Sequence, residues 1–337
     1  MDDQPTEVTP DEGSEPAAES APEPESAPEP ESESVTEPES AAESHPDSAA
    51  ESHPDSAAEP AEAPPFETRA QRRARLEATL REPVLPPLAT VARPLTVAAT
   101  VVFATLLVLG LLADAVLLAA ALAWAGLVLA WGWPTLTGSS SRFGASFAIG
   151  VAAILVPAAA VASSEEPYLR LVPVALVISL GVMFGHQIVR RDGRPRLTDS
   201  LGSTSLAIGI ITMGVAWAPL ARSNRGIELA TVALVSIAAA SLGDLVVGVP
   251  RLRAWTLPLA MVLGGVGAVV TASVVGSPGT GSAALIGFLC AAVSHSLRRV
   301  LVVLPAIGSR RAQLAVAAAG LLVPGVIGYV LALVMIG

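Results

Sequence analysis

Residues 94–133 read PLTVAATVVFATLLVLGLLADAVLLAAALAWAGLVLAWGW, and Asp114 is the one charged side chain in this stretch. A helix needs about 20 apolar residues to cross a hydrocarbon core of about 30 Å, so the stretch is long enough for two crossings. Gly110 and Asp114 interrupt it near the middle. The stretch therefore predicts a tight hairpin of two membrane-spanning helices.

Seven further apolar runs follow the hairpin, at about 144–163, 169–189, 200–221, 227–249, 255–276, 281–297 and 312–336. A soluble helical bundle would need polar faces on its helices, and these runs have too few charges to supply them. The sequence predicts an all-α, polytopic helical membrane protein with about nine transmembrane helices. The transmembrane domain is assigned to residues 94–337.

Small residues and prolines punctuate these runs. Gly181 and Gly185 form a GxxxG pair, and Gly264, Gly265 and Gly267 form a second helix surface without side chains. Such positions favour close helix packing in lipid. Prolines within the runs could kink or break helices, as in many transporters, although prolines are common in membrane helices of every kind.

The arginine distribution predicts how the chain is threaded. All 20 cationic residues are arginine, and seventeen of them fall on one side of the predicted topology. Arg170, Arg222 and Arg225 are the three on the other side. The positive-inside rule then places the N-terminus in the cytoplasm and the C-terminus outside the plasma membrane. The lack of lysine beside abundant alanine and arginine is typical of high-GC bacterial coding.

The N-terminal region has a different composition. Residues 1–65 are rich in Glu, Pro, Ser and Ala, contain no arginine, and include duplicated APEPES and SAAESHPD units. With little apolar surface to bury, this acidic tail is expected to be disordered, a tether or the attachment point of a protein partner. His45 and His53 within the repeats could sense metal or pH, or be copies of a solvated octapeptide. Residues 66–93 form a basic juxtamembrane segment, either an interfacial helix or a positive flank that orients the first span.

Polar side chains of the membrane domain gather on the arginine-rich side. They form a candidate cytoplasmic-face cluster, which consists of His186, Arg190, Arg191, Arg194, Arg196, Asp199, Asp244, His295, Arg298 and Arg299. Guanidinium groups bind phosphate in a bidentate manner. The cluster predicts an anionic lipid or anionic small molecule as the ligand, approaching from the cytoplasm.

Asp244 is the carboxylate placed deepest in a predicted span, six residues before Pro250. An unpaired charge there costs up to about 3 kcal/mol, so the side chain should face protein or water. Asp244 could bind a metal, carry a proton, or pair with an inner arginine. His186 and His295 could likewise titrate near neutral pH or serve as hydrogen-bonded packing residues.

Two short stretches resemble phosphatidate cytidylyltransferases, which are polytopic enzymes of the cytoplasmic leaflet. The first is the basic loop and Ser/Thr-rich helix opening of residues 196–205, and the second runs from Ser241 to Leu245, with Arg251 and Arg253 beyond it. The resemblance implies chemistry on a phosphate-bearing lipid. The sequence lacks the family's Lys-Arg, Lys-Asp and Asp-Arg-x-Asp elements after Asp244, so catalysis is not transferred.

Other classes of function lack their motifs. The sequence has no Walker loop, nucleotide fingerprint, nucleophile elbow or metal-ligand histidine pair. Its single cysteine excludes an intrachain disulfide, and its acidic tail makes nucleic-acid binding improbable. We predict a multi-pass plasma-membrane protein without cofactor or metal, non-enzymatic and structural, regulatory or permease-like. The alternative is an enzyme that acts on a phosphate-bearing or lipid-linked substrate at the cytoplasmic leaflet.

Overall fold

The computed structural model describes residues 68, 69, 71, 73, 91–163, 165–189 and 197–336. Within these residues nine helical segments are long and apolar enough to span a membrane, and none of the residues is in a strand. The prediction of an all-helical protein is confirmed for this part of the chain, and so is the predicted number of helices that could span a membrane. The acidic tail, most of the juxtamembrane segment and the loop of residues 190–196 lie outside the described residues.

The described residues form ten α-helices and five short 3-10 helices. The α-helices are α1 Pro94–Ala113, α2 Ala115–Leu136, α3 Arg142–Ala162, α4 Val172–Val189, α5 Leu197–Gly214, α6 Asn224–Ser241, α7 Thr256–Val275, α8 Thr280–Leu301, α9 Arg310–Leu322 and α10 Pro324–Ile336. The 3-10 helices are Val215–Trp217, Pro219–Arg222, Leu242–Gly248, Arg253–Trp255 and Pro305–Gly308.

The predicted hairpin breaks at Asp114. The Asp114 carboxylate accepts hydrogen bonds from the backbone N–H groups of Val116, at 2.6 Å, and Leu117, at 2.9 Å, and so caps α2. Gly110 lets the two helices meet closely, since a Cβ there would lie 2.7 Å from the Leu118 Cα. One capping carboxylate and one glycine therefore divide the long apolar run.

Helix α9 lies at the centre of the bundle. It packs against α1, α2, α5, α8 and α10, and the side chains from Ala315 to Ala319 are all fully buried. Helices α6, α7 and α8 pack together on one side, while α2 and α4 both pack on α3 on the other. Helix α1 joins the two groups through contacts with α2 and α6.

The small-residue patch of α7 lies at helix contacts. A Cβ on Gly264 would lie 3.0 Å from the Gly287 carbonyl oxygen of α8, and a Cβ on Gly267 would lie 2.8 Å from Ala239 Cβ of α6. By contrast, a Cβ on Gly181 or Gly185 of α4 would meet nothing within 4 Å. The α7 patch therefore packs helices within the chain, and the GxxxG pair of α4 does not contact other described residues in this way.

Three candidate spans depart from continuous α-helix beyond their first turn, in addition to the seventh, which begins with the 3-10 turn Arg253–Trp255. The ninth breaks between α9 and α10 at Pro324, which lacks a backbone N–H. The fifth tightens into 3-10 turns around Pro219, and the sixth tightens over Leu242–Gly248. A 3-10 helix rises about 2.0 Å per residue and shifts its side chains relative to an α-helix. The 3-10 helix Leu242–Gly248 in the sixth span contains Asp244 and so sets the direction of its side chain.

Candidate functional site

Asp244 meets two basic side chains of α8. Its Oδ2 accepts a hydrogen bond from Arg298 Nε at 2.7 Å, and its Oδ1 lies 2.8 Å from His295 Nδ1. The second contact has the distance of an ion pair without the angles of a hydrogen bond. Asp244 keeps 16% of its side chain exposed, whereas His295 and Arg298 keep 2% each. A carboxylate in a predicted span is thus matched by a buried guanidinium.

Arg298 extends this cluster to the central helix. Its Nη1 donates to Ser294 Oγ, and the Ser294 hydroxyl donates to the carbonyl oxygen of Gly320 in α9. A Cβ on Gly320 would lie 2.9 Å from Arg298 Cγ, so glycine leaves the space that the arginine stem occupies. The cluster therefore ties the Leu242–Gly248 turn, α8 and α9 together.

A small cavity of about 30 Å³ adjoins the cluster, with room for one water molecule or one ligand oxygen. Its lining contains three arginines and one carboxylate; the residues are Val91, Arg93, Thr96, Asp244, Val247, Arg298, Arg299 and Val302. We call it the arginine cavity. It lies where α1 begins and α8 ends, at the end of the bundle with most of the described arginines.

The buried polar atoms of the arginine cavity that have no hydrogen-bond partner in the described structure include two donors, Arg298 Nη2 and Thr96 Oγ1. They also include one acceptor, Asp244 Oδ1, which lies at ion-pair distance from His295. Taken as whole residues, Arg298 is 1% exposed and Thr96 is 4% exposed. Leaving such a group unsatisfied costs about 1–3 kcal/mol, and more for a charged one. The cavity therefore offers a guanidinium N–H and a hydroxyl to an acceptor atom.

Arg93 is held at the rim of the arginine cavity. Its Nη1 donates to the Ile307 carbonyl oxygen at 3.4 Å. Partial burial lowers the pKa of the Arg93 guanidinium from its ordinary value, but an arginine side chain remains charged in proteins. The cavity opening is therefore electropositive.

The predicted polar cluster falls into two groups among the described residues. Asp244, His295, Arg298 and Arg299 come together at the arginine cavity. His186 lies elsewhere, with its Nε2 2.9 Å from Ser141 Oγ at the start of α3.

Asp199 opens α5, next to Ser200, whose hydroxyl accepts a hydrogen bond from Gln187 of α4 at 3.2 Å. His186 and Asp199 thus belong to the α3–α4–α5 side of the bundle. Arg190, Arg191, Arg194 and Arg196 lie outside the described residues.

The sequence alone did not indicate that Arg93, Thr96 or Gly320 belongs to a binding site. Arg93 was used only to predict the orientation of the chain in the membrane, and a single threonine in an apolar run does not by itself indicate a site. Their signal was weak because a threonine in a membrane helix usually bonds back to its own helix, as Thr100 does to the Thr96 carbonyl oxygen at 2.8 Å. The hydroxyl of Thr96 differs because it has no such bond.

Metal-ligand geometry is not found in the described ranges: no group of three His, Cys, Asp or Glu side chains there could hold an ion. Cys290, the single cysteine, is fully buried in α8. The chemistry that the described site offers is hydrogen-bond donation from a positively charged cavity.

Comparison with known proteins adds no relative. No protein-family model, no curated protein and no solved structure matches this chain. The resemblance to phosphatidate cytidylyltransferases therefore stays limited to its two short stretches of sequence.

Proposed function

We propose that this chain is a multi-pass plasma-membrane protein that binds the phosphate of a lipid headgroup in the arginine cavity, at its cytoplasmic end, without catalysing a reaction. The observation that carries the proposal is the pair of buried, unpartnered groups, Arg298 Nη2 and Thr96 Oγ1, in the lining of that cavity. Their role would be structural, regulatory or permease-like.

A phosphate oxygen suits the arginine cavity in charge and in size. One oxygen fits a volume of about 30 Å³, and the rest of the headgroup would lie at the opening beside Arg93 and Arg299. Arginine is favoured for phosphate because its planar fork donates two parallel hydrogen bonds. Arg298 contacts Asp244 through Nε and Ser294 through Nη1, so its Nη2 remains available to donate a hydrogen bond to a ligand.

The engagement of Asp244 also favours binding over catalysis. Asp244 Oδ2 accepts a hydrogen bond from Arg298 Nε at 2.7 Å, and Oδ1 lies 2.8 Å from His295 Nδ1. In the enzymatic alternative a substrate would have to displace one of these contacts to reach the carboxylate. Conversion of phosphatidic acid to any product by the purified protein, abolished in Asp244→Asn under conditions where that variant is still folded, would establish that alternative.

The substitution Thr96→Val tests the binding site. We expect phosphatidic acid to bind at least about tenfold more weakly, because a hydrogen bond to a charged group contributes about 1.5–3 kcal/mol and each 1.4 kcal/mol is a factor of ten. Native mass spectrometry of the detergent-solubilised protein, titrated with phosphatidic acid and with diacylglycerol, measures the change. Diacylglycerol lacks the phosphate and should bind weakly to both forms.

Thr105→Val is the matched control for this substitution. Thr105 lies on the same helix, is exposed, and donates its hydroxyl to the Val101 carbonyl oxygen at 2.9 Å. Its replacement should leave phosphatidic acid binding unchanged. Equal affinities of Thr96→Val and the native protein, or equal affinities for the two lipids, would remove the proposed site.

The proposed orientation is tested by cysteine labelling. In a Cys290→Ala background, Gly279→Cys and Gly308→Cys each place a thiol at an exposed turn where a Cβ meets nothing within 4 Å. We expect a membrane-impermeant maleimide to label Gly279→Cys in intact cells, and Gly308→Cys only after the membrane is opened. The reverse pattern would place the arginine cavity outside the cell.

A further inference from the structure

A larger cavity lies at the opposite end of the bundle. Its volume is about 690 Å³, within the range of small-molecule sites. The turn after α3, the Pro219–Arg222 turn and helix α10 form its walls; the lining residues include Tyr168, Leu220, Arg222, Tyr329, Ala332 and Leu333. We call it the tyrosine groove, because it contains both tyrosines of the chain.

The two phenols leave their hydroxyls available. Tyr168 and Tyr329 are both half-buried, and neither hydroxyl bonds to another residue in the described part of the chain. Leu220 and Ala332 are buried beside them, and Leu333 is exposed on α10. The groove thus combines two tyrosine hydroxyls with an apolar surface that extends along α10.

Arg222 supplies a positioned cation in the tyrosine groove. Its Nη2 donates to the carbonyl oxygens of Ser163, at 3.2 Å, and Val161, at 3.4 Å. Its guanidinium carbon lies 5.3 Å from the centroid of the Tyr168 ring, a cation–π contact. Within the described ranges no carboxylate lies at ion-pair distance from Arg222. Carbonyl oxygens and a ring orient the charge without neutralising it.

Glu166 is the one acidic residue in the lining, and it is exposed. Water and salt screen an exposed carboxylate, whereas the half-buried guanidinium of Arg222 is screened less. The field inside the groove is therefore expected to favour an anion.

We propose that the tyrosine groove binds an anionic amphiphile, a molecule with one carboxylate or phosphate head on an apolar chain. The head accepts hydrogen bonds from Arg222 and from the hydroxyls of Tyr168 and Tyr329. The chain lies along Leu220, Ala332 and Leu333 toward the lipid. This site shares no residue with the arginine cavity, so it stands independently of the proposed function.

Binding of cis-parinaric acid, a fluorescent fatty acid, tests the site in the purified full-length protein. We expect the dissociation constant to rise at least tenfold in Arg222→Gln, and to be at least tenfold higher for the neutral methyl ester than for the acid. Arg225→Gln is the matched control, since Arg225 is exposed three residues away and lies outside the groove lining. It should leave binding unchanged.

Two milder variants keep the test decisive if Arg222→Gln disturbs the end of α3, where Arg222 donates to the carbonyl oxygens of Val161 and Ser163. Tyr329→Phe removes only a hydroxyl and should raise the dissociation constant several-fold. Glu166→Gln should lower it, because the variant removes a repelling charge. Equal binding of acid and ester, or no change in both Arg222→Gln and Tyr329→Phe, would overturn the proposal, and so would weaker binding in Glu166→Gln.

Competition identifies the source of the head group. Oleate presents a carboxylate on one chain, and phosphatidic acid presents a phosphate on two. Displacement of cis-parinaric acid by either lipid supports an anionic amphiphile and shows which head the groove prefers. Displacement by diacylglycerol to the same extent would show that the groove recognises only the apolar chain and would refute the role of Arg222.

Discussion

Asp244→Asn is expected to lower the free energy of unfolding by about 3–5 kcal/mol, the cost of leaving one member of a buried ion pair without its partner. Arg298 is 1% exposed and its Nε bonds to Asp244 at 2.7 Å, so the substitution leaves a buried guanidinium facing a neutral amide. Reversible unfolding in mixed micelles with increasing sodium dodecyl sulfate measures the change.

The double variant Asp244→Asn/Arg298→Met separates charge loss from packing. Because both charges are gone, we expect the double variant to be less destabilised than the sum of its two single variants, with a coupling of about 0.5–3 kcal/mol. Asp114→Asn serves as the control, since Asp114 is exposed and asparagine caps a helix as well as aspartate. A loss in Asp244→Asn no larger than in this control would show that the buried pair does not stabilise the bundle.

Gly287→Ala is expected to cost about 1–3 kcal/mol of stability, the usual penalty of overpacking. A Cβ on Gly287 would lie 2.6 Å from the Gly264 carbonyl oxygen and 2.6 Å from Ala268 Cβ. One of these atoms belongs to the backbone of α7, so the helices must separate to admit the methyl group. The same unfolding assay measures the effect.

Gly209→Ala is the matched control for this substitution. Gly209 lies within α5, where a Cβ would meet nothing within 4 Å. Alanine there should leave stability unchanged or raise it by up to about 1 kcal/mol, because glycine loses more backbone entropy on folding. Similar losses for Gly287→Ala and Gly209→Ala would contradict the close contact between α7 and α8.

The spans could be predicted from the sequence because the rule that sets them is local. A membrane crossing depends on about 20 consecutive apolar residues, and each run satisfies it without reference to any other. The position of the hairpin break was likewise visible, because Asp114 is the only charge in its run and its side chain caps the next helix.

The site depends on which helices meet, and no local pattern contains that information. Asp244 required some cationic partner, but the choice of Arg298 over the other inner arginines follows from the packing of α6 and α8. Thr96 lines the arginine cavity only because α1 packs on α6 and α9. The two glycine motifs looked alike in sequence, yet only the α7 patch has close neighbours in the structure.

The buried position of α9 has a consequence for the order in which the protein assembles. The ribosome delivers eight spans before this helix, yet α1, α2 and α8 all rest on its alanine surface. Until α9 is synthesised, the surfaces of α1, α2 and α8 that contact it in the folded chain stay uncovered. The first eight candidate spans can therefore complete their packing only after α9 has been synthesised.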